Sequence, residues 1–193
     1  MSKRHAYFPG DFKTRDEPDG EMYIEGYFAV FNQETELWPG WYEQIKQRAF
    51  EKSLKNNDIR CLFNHDTGFV LGRNTNQTLE LREDSHGLFG RVKINPKDTQ
   101  AVDVYARVNR GDISGCSFGF ECKGEERQVD DSGDIHWVVT EADLFEVSIC
   151  TFPAYPQTEI QARKQAFEQT QKQRVEEQKR TLKQRLEEIR NGA

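Results

Sequence analysis

The sequence lacks the features that mark secreted, membrane-spanning and metal-binding proteins. Its four cysteines, Cys61, Cys116, Cys122 and Cys150, form no C-x-x-C pair, which disfavours a disulfide framework or a zinc site. No apolar run approaches the length of a membrane span, and residues 1–10 contain no apolar signal segment. We therefore expect a soluble intracellular protein with reduced thiols.

Excess positive charge is also absent. The formal net charge is −6, which argues against broad binding to the phosphate backbone of a nucleic acid. Proline and glycine are missing from residues 159–190, where Gln, Glu, Lys and Arg dominate. Such a composition favours a helix. We predict two regions, a folded domain over residues 1–158 and a charged helical tail over residues 159–193.

Alternation of apolar and polar residues predicts about seven strands in the first region. They cover residues 22–31, 60–63, 78–81, 87–94, 113–122, 135–139 and 144–151. Helical spacing predicts two helices, over residues 42–55 and 98–109, with Gly111 just past the second. The order contains no regular βαβ alternation, so the predicted class is α+β: a mostly antiparallel closed β-barrel with packed helices, followed by the charged C-terminal helix.

The segment GCSFGF, residues 115–120, contains the pattern G-x-S-x-G of a hydrolase nucleophile elbow. An elbow needs a helix directly after the serine, but Ser117 is followed by the strand-like Phe118-Gly119-Phe120 and then by charged turn residues. The pattern therefore places Ser117 inside a strand, on the same face as Gly119. Glycine two residues from the serine leaves room for another group, or the serine is only a small buried residue.

Two further residues are candidate partners of Ser117. His65 follows the predicted strand 60–63, where its imidazole can project over a cleft as a general base or simply lie on the surface. Glu146 interrupts the apolar strand 144–151, on the same face as Ser148. A carboxylate in such a strand either needs a partner or lies on an exposed face.

These residues occur within five stretches that share one order along the chain. They are GYFAVFN at 26–32, EQI at 43–45 leading to RAF at 48–50, LFNHD at 62–66 with LGR at 71–73, SFGF at 117–120, and LFEVS at 144–148 with TFPAYP at 151–156. Over about residues 20–160, this set resembles the prohead (capsid maturation) serine proteases of HK97-like tailed bacteriophages, relatives of the herpesvirus assembly proteases. One departure is Arg48, where a small residue, often glycine, is expected.

The resemblance implies a serine endopeptidase on a closed β-barrel. By position, His65 would be the general base, Ser117 the nucleophile and Glu146 the residue that orients His65, with Asp143 and Asp66 as nearby alternatives to Glu146. The oxyanion donors would come from the backbone of residues 152–158 or from Arg163.

The same resemblance implies a place in virus assembly. The enzyme would act inside the assembling procapsid, in the host cytoplasm, on the scaffold segment of the major capsid protein and on itself. Self-association is a further expectation, whereas no cofactor, metal, nucleic acid or membrane is expected.

Three other functions fit parts of the sequence. A small-molecule esterase would use G-x-S-x-G but needs an elbow helix and a parallel sheet. A non-catalytic capsid- or scaffold-binding module would keep the fold without using Ser117. A cysteine protease would use Cys116, whose side chain should point away from that of Ser117.

Overall fold

The computed structural model describes residues 3–9, 12–18 and 20–152, together with Glu176, Lys179, Arg180, Lys183 and Arg185. The chain divides into two compact units, Met1–Tyr155 and Pro156–Ala193. The five described residues of the second unit are helical. The predicted domain boundary at 158/159 lies outside the described residues, as does most of the predicted charged tail, and both stay predictions.

The described part of the first unit contains eleven strands and two α-helices. The strands are β1 (Lys3–Pro9), β2 (Lys13–Asp16), β3 (Met22–Val30), β4 (Thr35–Trp38), β5 (Trp41–Ile45), β6 (Arg60–Phe63), β7 (Asp66–Arg73), β8 (Leu79–Glu83), β9 (Gly87–Ile94), β10 (Gly115–Val129) and β11 (Ile135–Cys150). The helices are α1 (Glu51–Asn56) and α2 (Thr99–Arg110), and a single 3₁₀ turn covers Asn74–Asn76.

The strands form two sheets. The larger sheet has the order β1-β10-β11-β5-β4, and β6 also pairs with β11 and β7. One edge of the long strand β11 is occupied by β10 along its whole length. Its other edge pairs in parallel with β5 near its start and with β6 near its end. The smaller sheet has the order β2-β3-β9-β8.

The core lies between these sheets and is rich in phenylalanine. Phe28, Phe50, Phe118 and Phe120 are fully buried, and the rings of Phe50 and Phe118 meet edge to face at 5.2 Å. Burying a ring of this size stabilises a domain by about 1.5–3 kcal/mol. Phe118 and Phe120 point inward, so Ser117 and Gly119 lie on the opposite face of β10.

The predicted closed barrel of about seven strands is wrong, because the described strands form two open sheets. Both edges of β10 are occupied, by β1 and by β11, so β10 packs on β3 without forming a ladder with it. One isolated bridge joins Phe31 to Ile45. The strand count differs because two predicted strands are the continuous strand β11, while β1, β2, β4, β5 and β7 were not predicted.

The predicted helix over residues 42–55 is also wrong in its first half. Residues Trp41–Ile45 form strand β5, which pairs with β4 and β11, and only Glu51–Asn56 are α-helical. Between them, Arg48 has a φ of 72°, a left-handed conformation that glycine adopts without strain. This conformation gives a physical reason to expect a small residue at position 48.

The second helix is confirmed, and each of its boundaries, Thr99 and Arg110, lies one residue later than predicted. The Asp98 side chain accepts hydrogen bonds from the backbone N–H groups of Gln100 and Ala101, and Gly111 ends α2 with a φ of 86°. Such caps satisfy backbone groups that a helix leaves unpaired at its ends. Strands β8 and β9 pair as an antiparallel hairpin.

Candidate active site

His65 lies on the turn between β6 and β7, directly after Asn64. Both residues have left-handed φ angles, 52° for Asn64 and 61° for His65, a conformation that asparagine tolerates better than most residues. The Asn64 amide holds the turn to the end of β11: its Oδ1 accepts the Thr151 backbone N–H at 2.8 Å and its Nδ2 donates to Thr151 Oγ1 at 3.2 Å. The turn thereby directs the imidazole back over the face of the sheet that carries Glu146.

Glu146 lies on that face, near the end of β11. Its Oε1 is 2.7 Å from His65 Nδ1, and its Oε2 accepts a hydrogen bond from Ser148 Oγ at 2.6 Å. The residue is only 5% exposed, and a buried carboxylate is costly unless such partners compensate for the lost water. The glutamate that interrupts the apolar strand is thus buried and hydrogen-bonded rather than exposed.

Ser117 lies on the neighbouring strand β10, directly opposite Ser148. On the other side of β10, Ser117 is opposite Tyr7 of β1. The Ser117 hydroxyl donates to the Ala6 carbonyl at 2.9 Å, and the residue is 1% exposed. The structure therefore brings His65 and Glu146 into direct contact and places Ser117 one strand away, with its hydroxyl bonded to β1.

Gly119 provides the space for the Glu146 carboxylate. The two residues are opposite each other, at a β-bulge between Gly119 and Phe120. A Cβ atom at Gly119 would lie 2.7 Å from Glu146 Oε1 and 2.6 Å from the Phe145 ring, closer than van der Waals contact allows. The sequence suggested that glycine leaves room beside Ser117, and the group occupying that room is the carboxylate of Glu146.

The other candidate carboxylates are engaged elsewhere. Asp143 accepts from Asn57 Nδ2 at 2.5 Å and lies 3.4 Å from Lys123 Nζ. Asp66 accepts the Gly68 backbone N–H at 2.8 Å. The geometry thus favours Glu146 over either alternative as the partner of His65.

Cys116 points into the core, as alternation predicts. Its Sγ lies 3.3 Å from the Tyr27 carbonyl oxygen and 3.6 Å from that of Phe28, on the face of β10 opposite Ser117. This position does not fit a cysteine nucleophile that shares the site of His65 and Glu146.

Two other thiols lie near the Glu146 carboxylate. Burial, followed by the charge of Glu146, raises the pKa of Cys150 to about 12. The same two causes, in the same order, raise the pKa of Cys61 well above its ordinary value. Since the thiolate is the nucleophilic form, both residues are poor nucleophiles at neutral pH.

The nucleophile elbow of the esterase pattern does not form at Ser117, and most of the predicted oxyanion donors lie outside the described residues. Ser117 lies within strand β10, with no helix directly after it, so the elbow required by G-x-S-x-G is absent from this described segment. Of the predicted oxyanion donors, only Phe152 is described, and its side chain is exposed; residues 153–158 and Arg163 lie outside the described residues.

The described residues contain no candidate metal centre and no candidate membrane-spanning helix. No cluster of at least three His, Cys, Asp or Glu side chains there could hold a metal ion. No helix in that part of the chain is long and apolar enough to cross a membrane.

Comparisons with known proteins agree with the sequence resemblance. Residues 10–173 match the family model of the caudovirus prohead serine protease. The chain is 31% identical over 153 residues to the prohead protease of Enterobacteria phage HK97, covering 76% of this chain and 62% of that protein. It thus spans less than two thirds of that relative.

A solved structure supports the fold. The capsid assembly protease of bacteriophage T4 superposes with a TM-score of 0.50 at 14% sequence identity, over 78% of this chain and 99% of that one. The likeness extends to the fold alone at this level of identity. The family match over most of the chain confirms the resemblance: the chain belongs to the caudovirus prohead serine protease family.

Proposed function

We propose that this chain is a serine endopeptidase of phage capsid maturation in which Ser117 is the nucleophile, His65 the general base and Glu146 the residue that orients His65. The observation that carries the proposal is the 2.7 Å contact between His65 Nδ1 and the buried carboxylate of Glu146, on the strand next to Ser117. A buried carboxylate that contacts an imidazole is the arrangement that activates a serine hydroxyl for acyl transfer.

In this mechanism the tautomer of His65 is set by Glu146. With the Nδ1 proton donated to Glu146, Nε2 carries the lone pair that accepts a proton. Ser117 Oγ attacks the peptide carbonyl carbon while its proton passes to Nε2, and that proton then goes to the leaving amine as the C–N bond breaks. In the second half of the reaction, Nε2 takes a proton from a water molecule as its oxygen attacks the acyl carbon. The bond between that carbon and Ser117 Oγ then breaks, the proton passes from Nε2 to Oγ, and the carboxylic product leaves.

The Ser117 hydroxyl must leave the Ala6 carbonyl before it can attack. A neutral hydrogen bond of this kind stabilises a protein by about 1 kcal/mol, and staggered rotamers give the serine two other orientations about χ1. The orientation bonded to Ala6 is therefore only slightly lower in free energy than the others, and contacts with a bound substrate have to outweigh that small difference. We propose that substrate binding turns the hydroxyl from β1 towards His65.

The proposed substrates are the scaffold segment of the major capsid protein and the protease chain itself, inside the procapsid. The names of the similar proteins support this assignment, since one is a prohead protease and the other a capsid assembly protease. The partner would be the major capsid protein of the same phage. Trimming of the tail after residue 158 is the proposed self-cleavage.

The decisive experiment combines the purified chain with its capsid protein and follows both by intact mass. We expect the wild type to shorten the capsid protein at one site, and Ser117→Ala and His65→Ala to leave it intact. Ser53→Ala is the matched control, because Ser53 is also buried but bonds to the Phe50 and Ala142 carbonyls. Cleavage that persists in both active-site variants would refute the assignment.

One observation favours a second candidate, a non-catalytic capsid-binding module. The Ser117 hydroxyl is buried and bonded to the Ala6 carbonyl, as a structural serine would be. Under this alternative the wild type would co-sediment with the capsid protein without shortening it, even in assembled proheads. The same mass measurement therefore separates the two functions.

A further inference from the structure

We infer that Ser148 is a positioning residue of the site: its hydroxyl holds the Glu146 carboxylate so that Oε1 faces His65. The inference rests on the proposed function, since it assigns a role within the same catalytic group. Ser148 would contact neither substrate nor the reacting atoms, and would act through Glu146 and His65 alone.

The first support is the contact between Ser148 and Glu146. Ser148 is fully buried, and its Oγ donates to Glu146 Oε2 at 2.6 Å. This length is typical of a hydroxyl that donates to an ionised carboxylate, a stronger bond than one between neutral groups. Because Oε2 is engaged by Ser148 and Oε1 by His65, the plane of the carboxylate is defined from both ends.

The second support is the fixed backbone position of Ser148. It pairs with Ser117 across one edge of β11 and with Leu62 across the other. Its main chain is therefore held between two neighbouring strands, and its short side chain has only the χ1 rotation. A donor on such a scaffold sets the carboxylate more precisely than one on a flexible loop.

The third support comes from the opposite side of the carboxylate. At Gly119 a Cβ would lie 2.7 Å from Glu146 Oε1, so the absence of a side chain there permits the observed orientation. Ser148 holds one oxygen, and Gly119 leaves space for the other. Gly119 therefore permits the orientation in which Glu146 contacts His65, and Ser148 holds the carboxylate in it.

A purely structural explanation is that Ser148 only satisfies a buried polar group. The two explanations differ in coupling: a positioning residue has its effect through Glu146, whereas a structural residue has an effect of its own. Double-mutant cycles measure this difference directly.

The test uses the full chain and a fluorophosphonate probe, which transfers its phosphonyl group to Ser117 Oγ and releases fluoride. Labelling is followed by intact mass and separated into the maximal rate and the half-saturating concentration. For Ser148→Ala we expect a fall of about 10- to 100-fold in the maximal rate, as for a lost hydrogen bond to a charged group, with the half-saturating concentration unchanged. In the Glu146→Gln background the same substitution should change the rate little.

Two control variants accompany Ser148→Ala. Ser53→Ala removes another buried hydroxyl, bonded to main-chain carbonyls, and should label at the wild-type rate. Ser148→Cys keeps a weak donor and should give an intermediate rate, and it replaces Ser148→Ala if that variant does not fold. Equal losses from Ser148→Ala in the wild-type and Glu146→Gln backgrounds would overturn the inference.

A second readout does not depend on activity. The imidazole Nδ1 proton of His65, followed by NMR in histidine-labelled protein, should move upfield in Ser148→Ala and stay in place in Ser53→Ala. An unchanged signal in Ser148→Ala would overturn the inference even if the isolated chain does not react with the probe. Absence of Ser117 labelling in the wild type, with a shifted Nδ1 signal in Ser148→Ala, would count against the proposed function but not against the role of Ser148.

Discussion

Two glutamates lie buried on strands of the larger sheet, and each has a different kind of partner. Glu43 on β5 is 4% exposed and lies 3.7 Å from the Arg4 guanidinium. Glu146 on β11 is 5% exposed and contacts the His65 imidazole and the Ser148 hydroxyl. The two sites have similar burial, so the difference between them lies in the chemistry of the partner.

A guanidinium keeps its proton under all ordinary conditions, whereas an imidazole exchanges one near neutral pH. Burial lowers the pKa of Arg4, but the nearby Cys122, Glu43 and Glu125 outweigh this effect and raise it overall. The Glu43 pair is therefore a permanent ion pair that joins β1 to β5. The Glu146 group contains a base that can accept a proton, which is what acyl transfer requires.

The largest expected effect separates the two carboxylates directly. Glu146→Gln should lower the rate of Ser117 labelling or of capsid cleavage by about 100- to 10,000-fold, because an amide no longer stabilises the imidazolium or selects the required tautomer. Glu43→Gln, the matched variant, should leave the rate unchanged. Similar losses in both variants would show that burial, and not the partner, determines the role.

A smaller effect is expected at Gly119. Gly119→Ala places a methyl group against Glu146 Oε1 and the Phe145 ring, so it should displace the carboxylate and lower the free energy of unfolding by about 1–3 kcal/mol. The labelling rate should also fall well below that of the wild type.

Gly124→Ala on the same strand is the control for Gly119→Ala. Its added Cβ would meet the Thr140 side-chain oxygen at 2.8 Å, at a register shift in the β10–β11 hairpin rather than beside Glu146. We expect it to leave the labelling rate unchanged. Equal losses of rate in the two variants would mean that the effect arises from the strand and not from the carboxylate.

The ion pair of Glu43 can be tested through stability. Arg4→Ala removes the guanidinium from the buried Glu43 and also from Glu125, to which Arg4 donates at 2.9 Å. It should lower the free energy of unfolding by about 2–3 kcal/mol, somewhat less than for a fully buried pair because Arg4 is partly exposed. Urea denaturation followed by tryptophan fluorescence measures this change. The labelling rate of the folded variant should not change, and a large loss of rate would remove the contrast between the two glutamates.

How much of the site was predictable depends on the range of the interactions. His65 and Glu146 could be identified because each departs from a local pattern, a histidine at the end of a strand and a carboxylate within an apolar strand. The same alternation placed Ser148 on the face of Glu146, and this was the sequence signal for the role proposed for Ser148. The Ala6 carbonyl that binds Ser117 was not predictable, because β1 joins β10 from more than a hundred residues away.

The fold shows the same division between local and distant interactions. The cap at Asp98 and the glycine at Gly111 determine α2 locally, and its boundaries were predicted to within one residue. Strand β5 was predicted as helix because its pairing with β11 is formed by residues far apart in the sequence. The choice between an open sheet and a closed barrel depends on such distant pairings alone, and there the prediction failed.

The smallest effect is expected at Arg48, just after the strand that carries Glu43. Its φ of 72° is strained for a residue with a side chain. Its contact with Glu51 at 2.7 Å joins two exposed side chains, so that contact adds little. Arg48→Gly should therefore raise the free energy of unfolding by about 0.5–1 kcal/mol, after the greater freedom of glycine in the unfolded chain is counted. A gain in stability with no change in labelling rate would extend the contrast between Glu43 and Glu146 to a second position near Glu43. A loss of stability would mean that the Glu51 contact outweighs the backbone strain.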